Sequence, residues 1–329
     1  MATLIQEVHA NSWALGAIPL GVALDLAIGH PGRWPHPVRA IGRLIGPVER
    51  GLRIALAGVG LGPRGERLAG VVLAVLVVGF VASVAWLAGE LCGELGGPAT
   101  LIGRALLVYW GLSIRDLGVG AIRAAEAPDL ASGRRELARL DGRDASLADR
   151  IEFDRRCVEA VGGGANDAVV APLFWLAVAG PAGLWAYKAV DILDRRAGRR
   201  SNRRSPMGGT SAVLDDLANL IPSRITWLLI ALSAALLGED GASALRIGWR
   251  DGRKHRRPHA AWGEAAIAGA LGVQLGGRST LGGVAAVRPL LGDPVGMIDR
   301  STVRRAVRLM QVAAIHAAAL AWTVRVLLD

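Results

Sequence analysis

Apolar positions along the chain gather into six runs, and arginines crowd the segments between them. The first run spans roughly residues 12–29. The second, "LAGVVLAVLVVGFVASVAWLAGELCG" from Leu68, is the strongest and is long enough to cross ~30 Å of hydrocarbon. The third, "TLIGRALLVYWGLSIRDLGVGAI" from Thr100, predicts a long helix that leaves the membrane at Arg115. The fourth, "AVVAPLFWLAVAGPAGLWAYKAVDIL", is interrupted at Gly180-Pro181. The fifth, residues 225–238, is short, and the sixth occupies about 306–328. This pattern predicts an all-α, multi-pass helical integral membrane protein, organised as one domain over residues 1–329.

The basic residues orient the runs. Residues 31–67 carry seven arginines, and 113–156 and 195–224 are also basic, whereas 88–99 holds two glutamates and no cation. The positive-inside rule assigns the basic segments to the cytoplasm and 88–99 to the outside. Basic segments flank the fourth run on both sides, so the Gly-Pro break is expected to turn a hairpin back within the membrane. Non-helical backbone at that depth is tolerated where protein covers it. The fifth run poses the same question, because 246–257 is again basic. Residues of about 123–162 read as a cytoplasmic helical insertion, with Ser146 and Asp149 spaced as a capping-box-like helix start. "TSAVLDDLANLIP" reads as a short amphipathic helix capped by Thr210 or Ser211 and stopped by Pro222.

Composition narrows the partners. The chain has 329 residues, is 52% hydrophobic and carries a net charge of +10. Its mean hydropathy is +0.38. Lys188 and Lys254 are the two lysines, so the cationic charge is almost all arginine. Such a chain suits either nucleic acid or a membrane with basic cytoplasmic loops, and the long apolar runs favour the membrane over nucleic acid. Cys92 and Cys157 belong to no metal or redox spacing, which argues against a disulfide framework or zinc site. The N-terminal stretch lacks a basic region ahead of its apolar run and is expected to be a retained membrane helix. No GxxxxGK[ST], HExxH or GxSxG motif occurs, so nucleotide use does not follow from a local motif.

Polar residues nevertheless gather at the edges of the runs. Asp215, Asp216 and Asn219 lie three or four residues apart on one predicted helix. Lys188, Asp191 and Asp194 stand at the end of the fourth run at helical spacing; Glu159, Asn166 and Asp167 precede it. Asp25, His30 and His36 end the first run. Six arginines crowd residues 195–204. Carboxylates at a membrane edge suit Mg²⁺, and neighbouring arginines suit bidentate phosphate binding. The same arginines serve equally well to set topology or to hold anionic lipid, and the acids equally well as a solvated ionic face. His316, on an apolar helix, reads as packed.

Five blocks, "GHPGRWPHPVRAIGRLI", "NDAVVAPLFW", "YKAVDILDRRAG", "LDDLANLIPSRIT" and "WGEAAIAGALGVQLGG", occur in this order between about Asp25 and Leu291. Together they resemble the cobalamin biosynthesis membrane proteins called CobD in aerobic and CbiB in anaerobic pathways, the adenosylcobinamide-phosphate synthases. The resemblance implies an ATP-dependent amide ligase that joins adenosylcobyric acid to (R)-1-amino-2-propanol or its phosphate. It implies ATP and Mg²⁺, an inner-membrane location with the site facing the cytoplasm, and a homo-oligomer or a complex with other membrane proteins of the pathway. On this reading Asp194, Asp215 and Asp216 hold Mg²⁺ and phosphate. His36, Glu159 and Asp167 join them as catalytic candidates. Asp25, Asn166, Lys188, Arg199, Arg203, Asn219, Arg224 and Glu264 bind substrate. The chain departs from the family pattern at His30, where an Asp is usual, and at Gly163-Gly164, where Glu-Asn is usual. Those departures keep two other readings open: a non-catalytic binding or regulatory paralogue on the same scaffold, and a lipid-phosphate enzyme.

Overall fold

The computed structural model describes residues 16–30, 36–57, 62–142, 145–200, 206–255, 257, 259–281 and 284–328. Thirteen helices and one β-hairpin are described. They are α1 (Ile18–Ile28), α2 (Pro37–Ala57), α3 (Gly62–Glu94), α4 (Gly97–Tyr109), α5 (Ile114–Ala125), α6 (Leu130–Asp141) and α7 (Arg150–Ala165). A π-helical turn, Asn166–Val170, leads into α8 (Ala171–Arg200). There follow α9 (Pro206–Ala218), α10 (Leu220–Leu236), α11 (Gly241–Asp251), α12 (Trp262–Leu271), β1 (Leu275–Leu281), β2 (Val284–Leu291) and α13 (Arg300–Leu328).

Among the described residues, four helical stretches are long and apolar enough to cross a membrane: Gly62–Glu94, Gly97–Ala125, Arg150–Arg196 and Arg300–Leu328. Met207–Ala218 and Leu220–Leu236, bent at the break between them, make a fifth if taken as one span. Of the first apolar run, α1 supplies 11 described residues, and residues 12–15 lie outside the described residues. The third run is two helices, α4 and α5, separated at Trp110–Ser113.

The chain divides into two units. One comprises Met1–Leu112, Ala171–Ala218 and Ala318–Asp329; the other comprises Ser113–Val170 and Asn219–Ala317. In the first, α1 approaches α4 so closely that a Cβ at Gly21 would lie 2.8 Å from the Ala105 carbonyl oxygen. Helix α3 packs against α8 and α9 with Leu73, Ala74 and Val77 buried, while Val75, Leu76, Phe80 and Leu87 remain exposed as a lipid-compatible face. Within α8, Ala179 and Gly180 leave helical geometry, and Gly180 takes φ 60° and ψ −155°, a conformation essentially confined to glycine. A Cβ at Gly183 would collide with the Trp175 carbonyl. Eight residues of straight helix would hold those positions about 12 Å apart. The chain therefore turns sharply at the break the sequence marks. The two arms are tied separately: Trp175 Nε1 donates to the Ala218 carbonyl at 3.0 Å and Trp185 Nε1 to the Leu107 carbonyl at 3.2 Å.

In the second unit α12 is the centre, with every residue from Trp262 to Leu271 buried. Glycines let it thread between neighbours: a Cβ at Gly263 would collide with the Gly162 carbonyl, and one at Gly269 would lie 2.9 Å from Ala244 Cα. The fifth apolar run reverses at Gly238, φ 75°. Helix α11 returns along α10, with Trp227 Nε1 donating to the Ala244 carbonyl at 3.2 Å and Gly248 packed on the Trp227 ring. Arg224, near the start of this run, and Arg253, after it, therefore come back toward the same end, each over a ring of the cluster Trp227, Trp249 and Trp262. His316 packs as expected, with Nδ1 3.2 Å from Ser233 Oγ.

Three local readings of the sequence are corrected. Asp149, not Ser146, caps α7, accepting the Glu152 N–H at 2.7 Å. Helix α9 starts at Pro206, before Thr210 and Ser211, and Ser211 Oγ instead donates to the Gly208 carbonyl at 2.9 Å. Asn219 interrupts the helix, and Pro222 sits in the first turn of α10, where no intrahelical N–H is lost. The antiparallel hairpin β1–β2, with an irregularity between Leu275 and Gly277, is an element the all-α reading lacked. Its sequence signal is the Gly282-Gly283 pair between two β-compatible stretches.

Candidate functional site

In the first unit, the end of α1 builds a buried aromatic-acid cluster. Asp25 is fully buried, and its Oδ1 lies 3.5 Å from His30 Nδ1. His30 Nε2 is 3.2 Å from the Tyr109 carbonyl oxygen, and its ring stacks on Tyr109. The Tyr109 hydroxyl donates to the Gly29 carbonyl. His36 meets His30 edge-on, with ring centroids 4.5 Å apart. Its Nδ1 accepts the Val38 N–H at 3.2 Å, so the neutral ring carries its proton on Nε2.

The three predicted metal ligands belong to this same unit. Asp194 on α8 and Asp215 on α9 are buried, and Asp216 is half-buried. Lys188 lies 3.8 Å from Asp191, which also receives Arg195 Nε at 2.6 Å. Arg196 Nη1 donates to the Gly42 carbonyl. A small cleft lies beside it, lined by Glu49, Arg53, Leu193, Arg196, Met207 and Ser211 among others. Arg199 closes α8, but its side chain lies outside the described residues, as does all of Arg203.

The second unit brings together residues that sequence spacing could not. At the π-helical turn, Asn166 Nδ2 donates to Asn219 Oδ1 at 2.7 Å and to Asp167 Oδ1 at 2.9 Å. Thr226 Oγ1 donates to Asn166 Oδ1 at 3.1 Å. Asn166, Asn219 and Thr226 are buried, so this amide network is shielded from water. Extra-wide turns of this kind recur where a helix must aim side chains at a site.

Glu159 and Glu264, 105 positions apart in sequence, converge on Arg288. Arg288 Nη1 donates to Glu159 Oε2, and Nη2 lies 3.0 and 2.8 Å from the two Glu264 oxygens. Glu159 Oε1 accepts the Gly276 N–H at 2.8 Å. Burial opposes the Arg288 charge, but the Glu264 and Glu159 carboxylates more than offset it and hold the guanidinium pKa above its usual value. Arg288 was missed in the sequence; an arginine inside the apolar strand "VAAVRPLL" is the signal, since such a charge needs buried acids. Arg224 lies on the first turns of α10, its guanidinium 4.7 Å from the Trp262 ring centroid.

Asp215 and Asp216 offer carboxylate oxygens within 4.8 Å of one another, donors of the kind a hard divalent cation such as Mg²⁺ selects, and Asp194 lies on the helix that packs against theirs. Neither free cysteine, Cys92 or Cys157, stands among them.

Comparison with known proteins places these residues in context. The family described as CobD/Cbib protein matches residues 18–310. The chain is 42% identical over 299 residues to "Cobalamin biosynthesis protein CobD" of Geobacter metallireducens, covering 90% of this chain and 92% of that protein. It is 39% identical over 300 residues to the CobD protein of Klebsiella pneumoniae, covering 90% and 93% of the two chains. It is also 39% identical over 301 residues to "Cobalamin biosynthesis protein CbiB" of Salmonella typhimurium, again covering 90% and 93%. No solved structure matches.

Proposed function

Because the chain belongs to the CobD/CbiB family of cobalamin biosynthesis, we propose that it is the ATP-dependent ligase that amidates adenosylcobyric acid with aminopropanol or its phosphate. In this reaction the corrinoid carboxylate attacks the γ-phosphorus of ATP and ADP leaves, giving an acyl phosphate. The amine nitrogen then attacks the acyl carbon, the bond to the phosphate oxygen breaks, and inorganic phosphate leaves while a base takes the amine proton. The observation that carries this reading is the set of buried and half-buried carboxylates Asp194, Asp215 and Asp216 in one unit of a chain matched to this family over most of its length.

Each group has a part consistent with its surroundings. Asp194, Asp215 and Asp216 would hold Mg²⁺, which when bound offsets negative charge on the transferring phosphoryl group. His36, edge-on to His30 beyond the end of α1, orients substrate or transfers a proton. Asn166, Asp167 and Asn219 present fixed amide and carboxylate groups for orientation. Arg224, with Lys188, Arg199 and Arg203 in supporting parts, binds phosphate or propionate. Glu159 and Glu264, engaged by Arg288, position the hairpin rather than transfer protons. Asp25 holds His30 beside His36.

We place the protein in the inner membrane with its arginine-rich segments and site in the cytoplasm, following their charge asymmetry. Maleimide labelling of Leu95→Cys from the periplasmic side, with Arg246→Cys protected, is the expected pattern. The reverse pattern defeats the topology. The chemistry is tested with purified protein, ATP, Mg²⁺, adenosylcobyric acid and aminopropanol phosphate. Stoichiometric amide and ADP are expected from the wild type. Asp216→Asn is expected to insert normally and lose turnover by several kcal/mol of transition-state stabilisation, roughly a thousandfold. Binding of corrinoid with no amide formed by the wild type would instead favour a binding or regulatory protein on this scaffold.

A further inference from the structure

In the second unit three tryptophans form a closed triangle. Ring centroids are 5.9 Å apart for Trp227 and Trp249, 5.3 Å for Trp227 and Trp262, and 6.4 Å for Trp249 and Trp262. Two arginines cover it. Arg224 Cζ lies 4.7 Å above the Trp262 ring and Arg253 Cζ 3.9 Å above the Trp249 ring. A guanidinium stacked on an aromatic face keeps its N–H edges in its own plane, available for a ligand.

The acids nearby are already engaged. Asp251 receives Arg250 at 2.8 Å and Lys254 at 2.6 Å, and Asp293 receives Arg250 at 2.9 Å. Among the described residues neither Arg224 nor Arg253 has a carboxylate oxygen within 4.0 Å, although Arg253 is near enough to repel the Arg224 charge. Arg224 Nη1 donates to the Leu220 carbonyl and lies 3.2 Å from Ser223 Oγ, which leaves other N–H groups of its fork free for a ligand. Trp262 is buried and Trp249 is 55% exposed, so the patch has a fixed floor and an open side. Aromatic faces, not counter-charges, hold two like charges together here.

We infer that Arg224 and Arg253, seated on Trp262 and Trp249, form an oxyanion site that takes a phosphate-bearing ligand. Two planar forks without acid partners match the several oxygens of a phosphate or polyphosphate, and binding one relieves their repulsion. The site itself does not depend on the ligase reading; only the assignment of its phosphate to a ligase substrate rests on that reading. The same chemistry would also take a phospholipid headgroup.

The test uses the full chain in detergent, with calorimetric titration of ATP, pyrophosphate and short-chain phosphatidylglycerol. Wild type is expected to bind ATP and pyrophosphate. Arg253→Gln is expected to weaken both about tenfold, the scale of a lost charge-assisted hydrogen bond, and Arg253→Lys not to restore them. Trp249→Phe, which keeps an aromatic face, is expected to retain binding, and Trp249→Ala to lose it. Arg253 is exposed, so its substitution leaves folding intact, which thermal unfolding checks. Equal affinity for all three ligands in wild type and Arg253→Gln overturns the site. A loss confined to phosphatidylglycerol upholds the oxyanion site and gives it to the lipid headgroup. Arg253-dependent phosphate binding in a wild type that forms no amide upholds the site while defeating the ligase reading. Amide formation unaffected by Arg253→Gln and Trp249→Ala, with affinities unchanged, does the reverse.

Discussion

Arg288 grips the carboxylate of Glu264 with a single nitrogen, Nη2, 3.0 Å from Oε1 and 2.8 Å from Oε2. Its other terminal nitrogen reaches Glu159, so one strand residue bridges acids from two helices. Arg288→Met would remove the cation that bridges the two buried carboxylates, leaving Glu159 with Arg155, whose Nε lies 3.5 Å away. The expected cost is about 3–5 kcal/mol, the range for breaking a buried ion pair. A large fall in the detergent-solubilised melting temperature checks it, and Arg288→Lys should recover only part, because a point charge cannot span both acids.

Asn219 is fully buried and accepts from Asn166. Asn219→Ala strands an Asn166 donor away from water and is expected to destabilise by about 1–3 kcal/mol. Thr226→Val removes a donor to the same amide at a smaller cost of roughly 1 kcal/mol. A double-mutant cycle by chemical denaturation should give non-additive losses, because both side chains act on Asn166. Additive losses would separate the two hydrogen bonds.

Gly180 holds backbone angles that no L side chain adopts comfortably. Gly180→Ala is expected to cost about 1–3 kcal/mol by strain alone, since nothing lies within 4 Å of the added Cβ. Pro181→Ala should be mild by comparison, because glycine rather than proline supplies the unusual angles. Melting temperatures of the two variants in the same detergent compare them directly.

Asp251 lies outside the candidate spans and is fully buried. Burial raises its pKa, but hydrogen bonds from Arg250, Lys254 and the Gly292 N–H outweigh this and bring it down to about 2. A depressed carboxylate pKa stabilises above the unfolded value of roughly 3.9 and loses that contribution as pH falls through the folded value. Asp251→Asn should therefore lower stability at pH 7 by about 2 kcal/mol, below the fully buried range because its cations touch solvent. The gap to wild type should close between about pH 4 and pH 2, followed by thermal unfolding across that range.

Much of this protein is written in one-dimensional patterns. Apolar run length is a local property, so the spans at Gly62–Glu94 and Arg300–Leu328 were legible from the residues alone. So was the break in α8, because a Gly-Pro pair cannot continue a helix without cost. Five collinear blocks were enough to reveal the family resemblance. Helix starts were less legible: Ser146 and Asp149 both have capping chemistry, and only backbone geometry chose Asp149. The partners of buried charges were not legible at all. Glu159, Glu264 and Arg288 sit on α7, α12 and β2, and their meeting depends on glycine contacts such as Gly162 on Gly263 that let helices close up. The same holds for Arg224 and Arg253, whose tryptophan seats exist only once α11 has folded back along α10 at Gly238. Hydrophobic patterning states which residues leave water; which charge then meets which acid or ring is decided by packing, because burial makes an unmatched charge too costly to leave to chance.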